Sequence, residues 1–330
     1  MRILAIGTKH SGVSYHRVIL PIVNMQKDYC LVTDVLNEEV LEKNFDIVVI
    51  NRLLNGVSTE QLTEWRTKYN FKLVIDNDDY WNLPPTHVLF ERYQLYNIPE
   101  HIKAYIRIAD LCTVTHYRLA EEVYKINPNV EILPNALPYG EEQFTDYKIE
   151  SDKVRLFWSG SGTHEYDIKI LKEPIKRIIG SNVQMVLAGY NENEGDIWNN
   201  MVFYFTAGRR IDNQIYRYNE VIRYMEAYAD SDISLIPLQD NLFNSMKSNL
   251  KVLETAAKKN PAIVSSVNPY LDMPIHYVKK QTDWFKHIRD LTNDSAYRIE
   301  SGQRLYDFCN TNFNLHKINL QRFDIYSRLI

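Results

Sequence analysis

Short apolar runs alternate with longer mixed stretches along almost the whole 330-residue chain. In the first half, runs rich in Val, Ile and Leu predict strands at 3–6, 47–50, 73–75, 111–115 and 130–133. In the second half they predict strands at 154–158, 183–187, 202–205, 233–237, 262–265 and 275–278. Runs this short, rich in Val and Ile, fit parallel strands covered on both faces. The segments between them have helix length, so strand and helix alternate. A polar stretch at 136–153, with Pro138 and Gly140 near its start, interrupts the pattern close to the middle. The expectation is an α/β chain of two Rossmann-like, doubly wound domains joined there. A helical stripe of Ile215, Tyr218, Ile222, Met225 and Ala229 predicts a helix over 215–229. The last segment, 314–330, is amphipathic with Leu315, Ile318, Phe323 and Tyr326 apolar. No strand follows it, so it must dock on structure already built.

The stretch 228–266 concentrates the candidate chemistry. An apolar strand at 233–237 leads into a polar loop with Asn244 and Ser245 as caps, then a helix, then a second buried strand from Ala262. Lys247, Lys251 and Glu254 stand at i, i+4 and i+7 and would share one helical face. Met246, Leu250, Leu253 and Ala257 form the neighbouring packing stripe. Two lysines and a glutamate where a helix leaves a strand end make a candidate anion-and-ribose site. Charge pattern alone also describes a solvated face with an ion pair.

Other strand ends carry weaker signals. Gly7 and Gly12 are spaced as in a phosphate-binding loop, but Val13-Ser14 replaces the required lysine and hydroxyl residue, so that reading fails. A turn through Gly12 into a helix at Ser14 remains, with Lys9, His16 or Arg17 near it; each side chain reads more simply as surface. Asp76, Asp78 and Asp79 follow directly on the third predicted strand. Three like charges at a strand end imply a raised pKa or a bound cationic partner for one of them. The same residues also read as a turn, and Asp-x-Asp loosely resembles a divalent-cation motif. His116 follows the fourth strand, where a local hydrogen-bonding role suffices. In the second half, Trp158-Ser159-Gly160-Ser161-Gly162 gives strand, small-residue turn and helix, a layout that lets backbone approach a pyrophosphate. Glu165 stands where a dinucleotide fingerprint needs its third small residue, which counts against a nicotinamide or flavin oxidoreductase. The tyrosines Tyr216, Tyr218, Tyr224 and Tyr228 read as packing groups with wet hydroxyls.

Composition narrows the classes. A formal net charge of −4 argues against a general nucleic-acid or membrane-surface binder. Cys30, Cys112 and Cys309 are far apart and match no disulfide or zinc framework, pointing to a reducing cytoplasm. No apolar run approaches the length of a membrane span, so stable membrane insertion is not expected.

Taken in order, these segments resemble the two-domain nucleotide-sugar glycosyltransferases of the GT-B fold, specifically glycosyltransferase family 4 of short phage or bacterial type. The resemblance is carried by Ala109-Asp110-Leu-Cys-Thr-Val-Thr with Ile132-Leu-Pro-Asn135-Ala, and by Phe157-Trp-Ser-Gly160-Ser. It continues through Tyr228-Ala-Asp-Ser-Asp232-Ile-Ser-Leu-Ile-Pro-Leu, Leu253-Glu254-Thr-Ala-Ala and Pro261-Ala-Ile-Val. It implies an acceptor-side domain at 1–143, a donor domain at 144–312 and a helix at 313–330 crossing back to the first. It also implies a nucleotide-diphosphate sugar as co-substrate, no further cofactor and no required metal. Donor contacts are implied at Gly12, Gly160, Ser161, Asn244, Lys247, Lys251 and Glu254, the last matching the glutamate that holds the donor ribose. Met246 stands where the family's first glutamate belongs. The family's histidine has no clear counterpart, and Asp78 or Asp79 occupies comparable ground as a group that orients or deprotonates the acceptor. Retention of anomeric configuration is implied; an acting base at Asp78 or Asp79 would permit inversion. Acceptors compatible with the resemblance are a glycan, a lipid-linked glycan or, for a phage enzyme, a modified DNA base. A non-catalytic nucleotide-sugar binder is the alternative.

Overall fold

A computed structural model describes residues 1–8, 11–25, 30–178 and 182–330. Lys9, one of the candidate side chains, lies outside the described residues. The chain forms two compact units, one of Met1–Ala136, Met246–Ser248 and Leu315–Ile330, the other of Leu137–Ser245 and Asn249–Asn314.

The first unit holds a six-stranded sheet in the order β2-β1-β3-β4-β5-β6. Its strands are β1 (Ile3–Ile6), β2 (Cys30–Thr33), β3 (Ile47–Asn51), β4 (Lys72–Asn77), β5 (Leu111–Val114) and β6 (Val130–Ile132). Every pairing is parallel. β1, β3 and β5 are buried along almost their whole lengths, because helices cover both faces. β2 was not anticipated from the pattern. It is a half-buried edge strand of four residues. The strand order reverses between β1 and β3, where open α/β sheets leave a crevice. There a helical run from Gly12 to Asn24, with a π-helical turn at Tyr15–Ile19, buries His16 and Arg17. The surface reading of these two side chains is thereby corrected: the wide π turn aims them inward at the sheet.

Asp76, near the end of β4, explains the burial of Arg17. Arg17 Nε and Nη2 donate to the two Asp76 carboxylate oxygens at 2.9 and 2.7 Å. Thr113 Oγ1 adds a bond of 2.6 Å, and Arg17 Nη1 reaches the Leu133 carbonyl at 2.8 Å and Asn135 Oδ1 at 3.1 Å. One guanidinium thus ties together the ends of β4 and β5 and the segment after β6. The terminal helix, Leu315–Ser327, joins the same unit, with Asn319 Nδ2 donating to the Pro21 carbonyl at 2.9 Å and Arg322 donating to Asn319.

The second unit holds another six-stranded sheet, in the order β12-β11-β10-β7-β8-β9, again all parallel. Its strands are β7 (Val154–Ser159), β8 (Val183–Tyr190), β9 (Asn213–Arg217), β10 (Ile233–Ile236), β11 (Ala262–Ser265) and β12 (His276–Val278). The chain starts in the middle at β7, runs out through β8 and β9, then returns to β10 on the other side. The switch point therefore lies between β7 and β10. The core packs Leu156, Trp158, Trp198, Met201, Phe205 and Trp284 around this centre.

Two expected elements change type here. Residues 202–205 belong to a helix, Gly195–Thr206, in which Trp198, Met201 and Phe205 are buried at helical spacing. A four-residue apolar run cannot distinguish a strand from the buried side of a helix. The helix expected over 215–229 is instead edge strand β9, a loop, and a short helix at Met225–Ala229. Pairing with β8 supplies backbone partners that no local pattern reveals, and Tyr218 and Ile222 are left exposed.

Candidate functional site

The switch point of the second sheet is built from glycine and a lysine. β7 ends at Ser159, and the chain turns at Gly160, whose N–H donates to the Ala188 carbonyl at 3.1 Å. Gly189 at the end of β8 has φ +106°, and a Cβ there would lie 2.0 Å from the Gly160 carbonyl oxygen. A Cβ on Gly160 would lie 2.7 Å from the Trp158 ring and 3.2 Å from Lys251 Nζ. Position 189 therefore requires glycine, because the two strand ends approach more closely than a side chain permits, while at Gly160 a Cβ would displace the Trp158 ring. The Lys251 ammonium lies 5.2 Å from the Trp158 ring centroid, a cation–π contact that holds it beside the turn. Phe157, Trp158, Ser159, Tyr228, Ser234 and Lys251 are among the residues lining a small pocket at this point.

Lys251 and Glu254 stand on the Leu250–Ala257 helix that follows β10. Glu254 is buried, and its two carboxylate oxygens accept hydrogen bonds from different tyrosines. Tyr224 Oη donates to Oε1 at 2.8 Å, and Tyr228 Oη donates to Oε2. Burial raises the Glu254 pKa to about 6, while the tyrosine bonds and the Lys251 charge pull it back down. These tyrosines are thus not wet packing groups: Tyr228 is 2% exposed, and its hydroxyl also lies 2.7 Å from Ser159 Oγ.

The structure brings Gly160, Lys251 and Glu254 into one neighbourhood and places the other donor candidates differently. Lys247 does not share a helical face with Lys251, because the helix begins only at Leu250 with Asn249 as its N-cap. Met246–Ser248 instead group with the first unit, where His116 Nε2 lies 2.8 Å from the Met246 carbonyl and Asn135 Nδ2 donates to Ser248 Oγ at 2.8 Å. His116 therefore makes a long-range contact rather than a local one, and Met246 is buried. Asn244 lies in a separate short helix, Leu242–Ser245, and is 5% exposed. Its amide donates to the Gln239 carbonyl at 3.0 Å and to Asp167 Oδ1 at 3.3 Å, which fixes the loop. Ser161 is exposed, with Oγ 2.7 Å from Thr163 Oγ1. Gly12 opens the first helical run behind the Ser11 cap, with open space where a Cβ would stand.

In the first unit, Asp78 follows β4 and is buried, with Oδ1 making no hydrogen bond. Burial and then the Asp79 charge raise its pKa to about 6, against the pull of Arg52. Arg52 has a left-handed backbone, φ +60°, and its N–H donates to the Asp76 carbonyl at 2.8 Å. The expectation of a raised carboxyl or a bound partner is met twice, by Asp78 and by the Arg17–Asp76 pair. A carboxyl raised in this way exchanges its proton nearer neutral pH than an ordinary aspartate. Among the described residues, no group of three or more His, Cys, Asp or Glu is placed to hold a metal ion.

Sequence reasoning gave Trp158, Ser159 and Gly189 no individual role and read Tyr224 and Tyr228 as packing groups. One signal was available: a glutamate on the buried side of a helix needs donors, and the nearby tyrosines were the abundant candidates.

No protein-family model matches the chain, and no curated protein matches it. Solved structures do. Sucrose-phosphate synthase from Thermosynechococcus elongatus superposes with a TM-score of 0.67 at 14% identity, over 100% of this chain and 99% of that one. Anabaena HepE in complex with UDP and glucose gives 0.70 at 12% identity, over 99% of each chain. The fold is GT-B. An alpha-glucosyltransferase in complex with UDP and a 13-mer DNA containing a HMU base also matches this GT-B chain over 99% of each, with a TM-score of 0.68 at 13% identity. At these identities the likeness establishes the GT-B architecture.

Proposed function

We propose that the chain is a glycosyltransferase that moves a sugar from a nucleoside-diphosphate sugar to an acceptor hydroxyl. The observation that carries this is the Lys251 ammonium beside the Gly160 turn, at the switch point of a sheet whose fold is shared with UDP-bound proteins. The reaction breaks the bond between the anomeric carbon and the donor's β-phosphate oxygen and forms one from that carbon to the acceptor oxygen. Negative charge then grows on the leaving diphosphate. A fixed ammonium next to a turn that admits backbone closely stabilises that charge without reorganisation. Glu254, one helical turn from Lys251, is the group for the donor ribose. In the retaining, metal-independent version, the acceptor proton passes to the departing phosphate oxygen. In an inverting version Asp78 takes it, assisted by Asp79.

Lys247, Asn244, Ser161 and Gly12 remain proposed donor-side groups in this reading, with Lys251 and Glu254 the principal ones. A modified base in DNA is one acceptor in this reading, supported by the DNA-bound neighbour, alongside a glycan or lipid-linked glycan. A cytoplasmic enzyme of phage or bacterial family 4 type is the corresponding setting. The test is a thermal-shift screen against UDP-, GDP-, ADP- and dTDP-sugars, followed by transfer assays with glycan and modified-base DNA acceptors. One donor should raise the melting temperature in wild type, and the shift should vanish in Lys251→Ala and fall in Glu254→Gln. Binding that is unchanged in both variants sinks the assignment; binding without transfer or donor hydrolysis leaves a nucleotide-sugar binder.

A further inference from the structure

We propose that Ser159 meets its ligand only as a hydrogen-bond acceptor, a polarity imposed on it by Glu254 through Tyr228. This makes Ser159 the residue that reads a hydroxyl or N–H of the donor and turns its phosphates away; it rests on the nucleotide-sugar reading above.

The argument is a count of protons. A tyrosine hydroxyl has one proton to donate. Tyr228 directs its proton to the Glu254 carboxylate, and a charge-assisted bond of this kind outcompetes one to a neutral hydroxyl. The Ser159 and Tyr228 oxygens are 2.7 Å apart, so the bond between them exists only if Ser159 is the donor. Ser159 has one proton too, and it now points inward. What its hydroxyl offers elsewhere is lone pairs.

Three observations keep this polarity from relaxing. The Tyr228 ring is buried and lies 4.5 Å from the Phe157 ring, so the hydroxyl cannot swing away. Tyr224 holds the other Glu254 oxygen at 2.8 Å, so the carboxylate cannot turn from Tyr228. Burial and the Glu254 charge raise the Tyr228 pKa well above its ordinary value, so its proton stays. Ser159 itself is half-buried at the end of β7, one residue before the Gly160 turn, and lines the pocket that also contains Lys251.

The chemistry of the ligand follows. Phosphate oxygens at neutral pH accept hydrogen bonds and would meet an acceptor at Ser159. They belong with the Lys251 ammonium, which lines the same pocket. A sugar hydroxyl, a ribose hydroxyl or a base N–H carries the proton that Ser159 lacks. A serine before a glycine turn would ordinarily be taken as a phosphate donor, and here the proton chain reverses that assignment.

Calorimetric titration of the full chain separates the two roles, using inorganic pyrophosphate and whichever of UDP, GDP, ADP and dTDP binds most tightly. Ser159→Ala should weaken the nucleotide roughly tenfold, the effect of one good hydrogen bond, and leave pyrophosphate within about twofold. Tyr228→Phe frees the serine proton and should lower the ratio of nucleotide to pyrophosphate affinity in the same direction. Melting temperatures taken alongside confirm that each variant is folded. Equal weakening of both probes in Ser159→Ala makes Ser159 a phosphate donor and overturns the inference alone. A wild-type chain that binds none of the probes overturns the nucleotide-sugar reading and this inference with it.

Discussion

Both sheets bury a carboxylate near the carboxyl ends of their central strands, and they satisfy it by opposite means. Asp76 in the first unit faces a guanidinium: Arg17 grips both oxygens, and the two side chains are 4% and 2% exposed. Glu254 in the second unit faces two neutral phenols. A cation that bonds bidentately cancels the acid's charge and fixes its geometry, which suits a brace between strand ends. Neutral donors hold the geometry but leave the charge, at the cost of a pKa raised by burial. The first arrangement is a structural tie; the second holds its carboxylate through neutral hydroxyls, with the Lys251 charge acting on it as well. A buried carboxylate is thus satisfied by a cation in one sheet and by neutral phenols in the other, according to which donor the fold supplies.

The comparison breaks most visibly if Asp76 is not the tie. Arg17→Ala or Asp76→Ala should each cost about 3–5 kcal/mol, because each leaves an unpaired buried charge. Replacing both partners by apolar residues of similar volume should recover most of that loss in urea unfolding. A single-variant loss below about 1 kcal/mol would place the pair among weak surface bridges.

A smaller effect tests how the second sheet shapes its site. Gly189→Ala puts a Cβ 2.0 Å from the Gly160 carbonyl in a backbone with φ +106°, so one strand end must move. The expected cost is about 2–3 kcal/mol of stability, with a loss of nucleotide affinity larger than that of any surface variant. Unchanged affinity in a folded variant would remove the Gly160 turn from the donor site.

The smallest effect is also the most direct on the comparison. Burial raises the Glu254 pKa from 4.5 to about 6, so the folded state binds this proton more tightly than the unfolded one. The stability this contributes is fully present below pH 4.5 and is lost as the pH rises through about 6. The shift corresponds to about 2 kcal/mol. Glu254→Gln should flatten that part of the stability–pH curve. Asp78, shifted in the same direction, persists in both proteins, so the difference between the two curves isolates Glu254. A difference curve level between pH 4.5 and 7 would mean that the two tyrosines, not burial, control this carboxyl.

Much of the architecture was legible because parallel strands buried on both faces leave uninterrupted apolar runs, as in Ile3–Ile6, Ile47–Asn51 and Ala262–Ser265. Two of the four edge strands, β2 and β9, were not. Both are half exposed, and their existence depends on a neighbour's free edge. Part of the candidate site was legible too. Lys251, Glu254 and Gly160 carry signals of type and position, and the structure brings them together. The face shared by Lys247, Lys251 and Glu254 was a plausible extrapolation of helical spacing, but Asn249 caps the helix after Lys247 has already been passed.

Sequence by itself determined the alternation of strand and helix, the two-part division, and the glycine turn and lysine at one strand end. These are local properties: period, composition and backbone freedom act over a few residues. Only the tertiary structure decided that Arg17 is the partner of Asp76, that Tyr224 and Tyr228 close on Glu254, and that Ser159 gives its proton inward. Each of these bonds joins residues brought together by strand order across the sheet, from 26 to 69 positions apart. Hydrogen bonding is directional and short-ranged, so which donor satisfies a buried acid is settled only when the strands are in register.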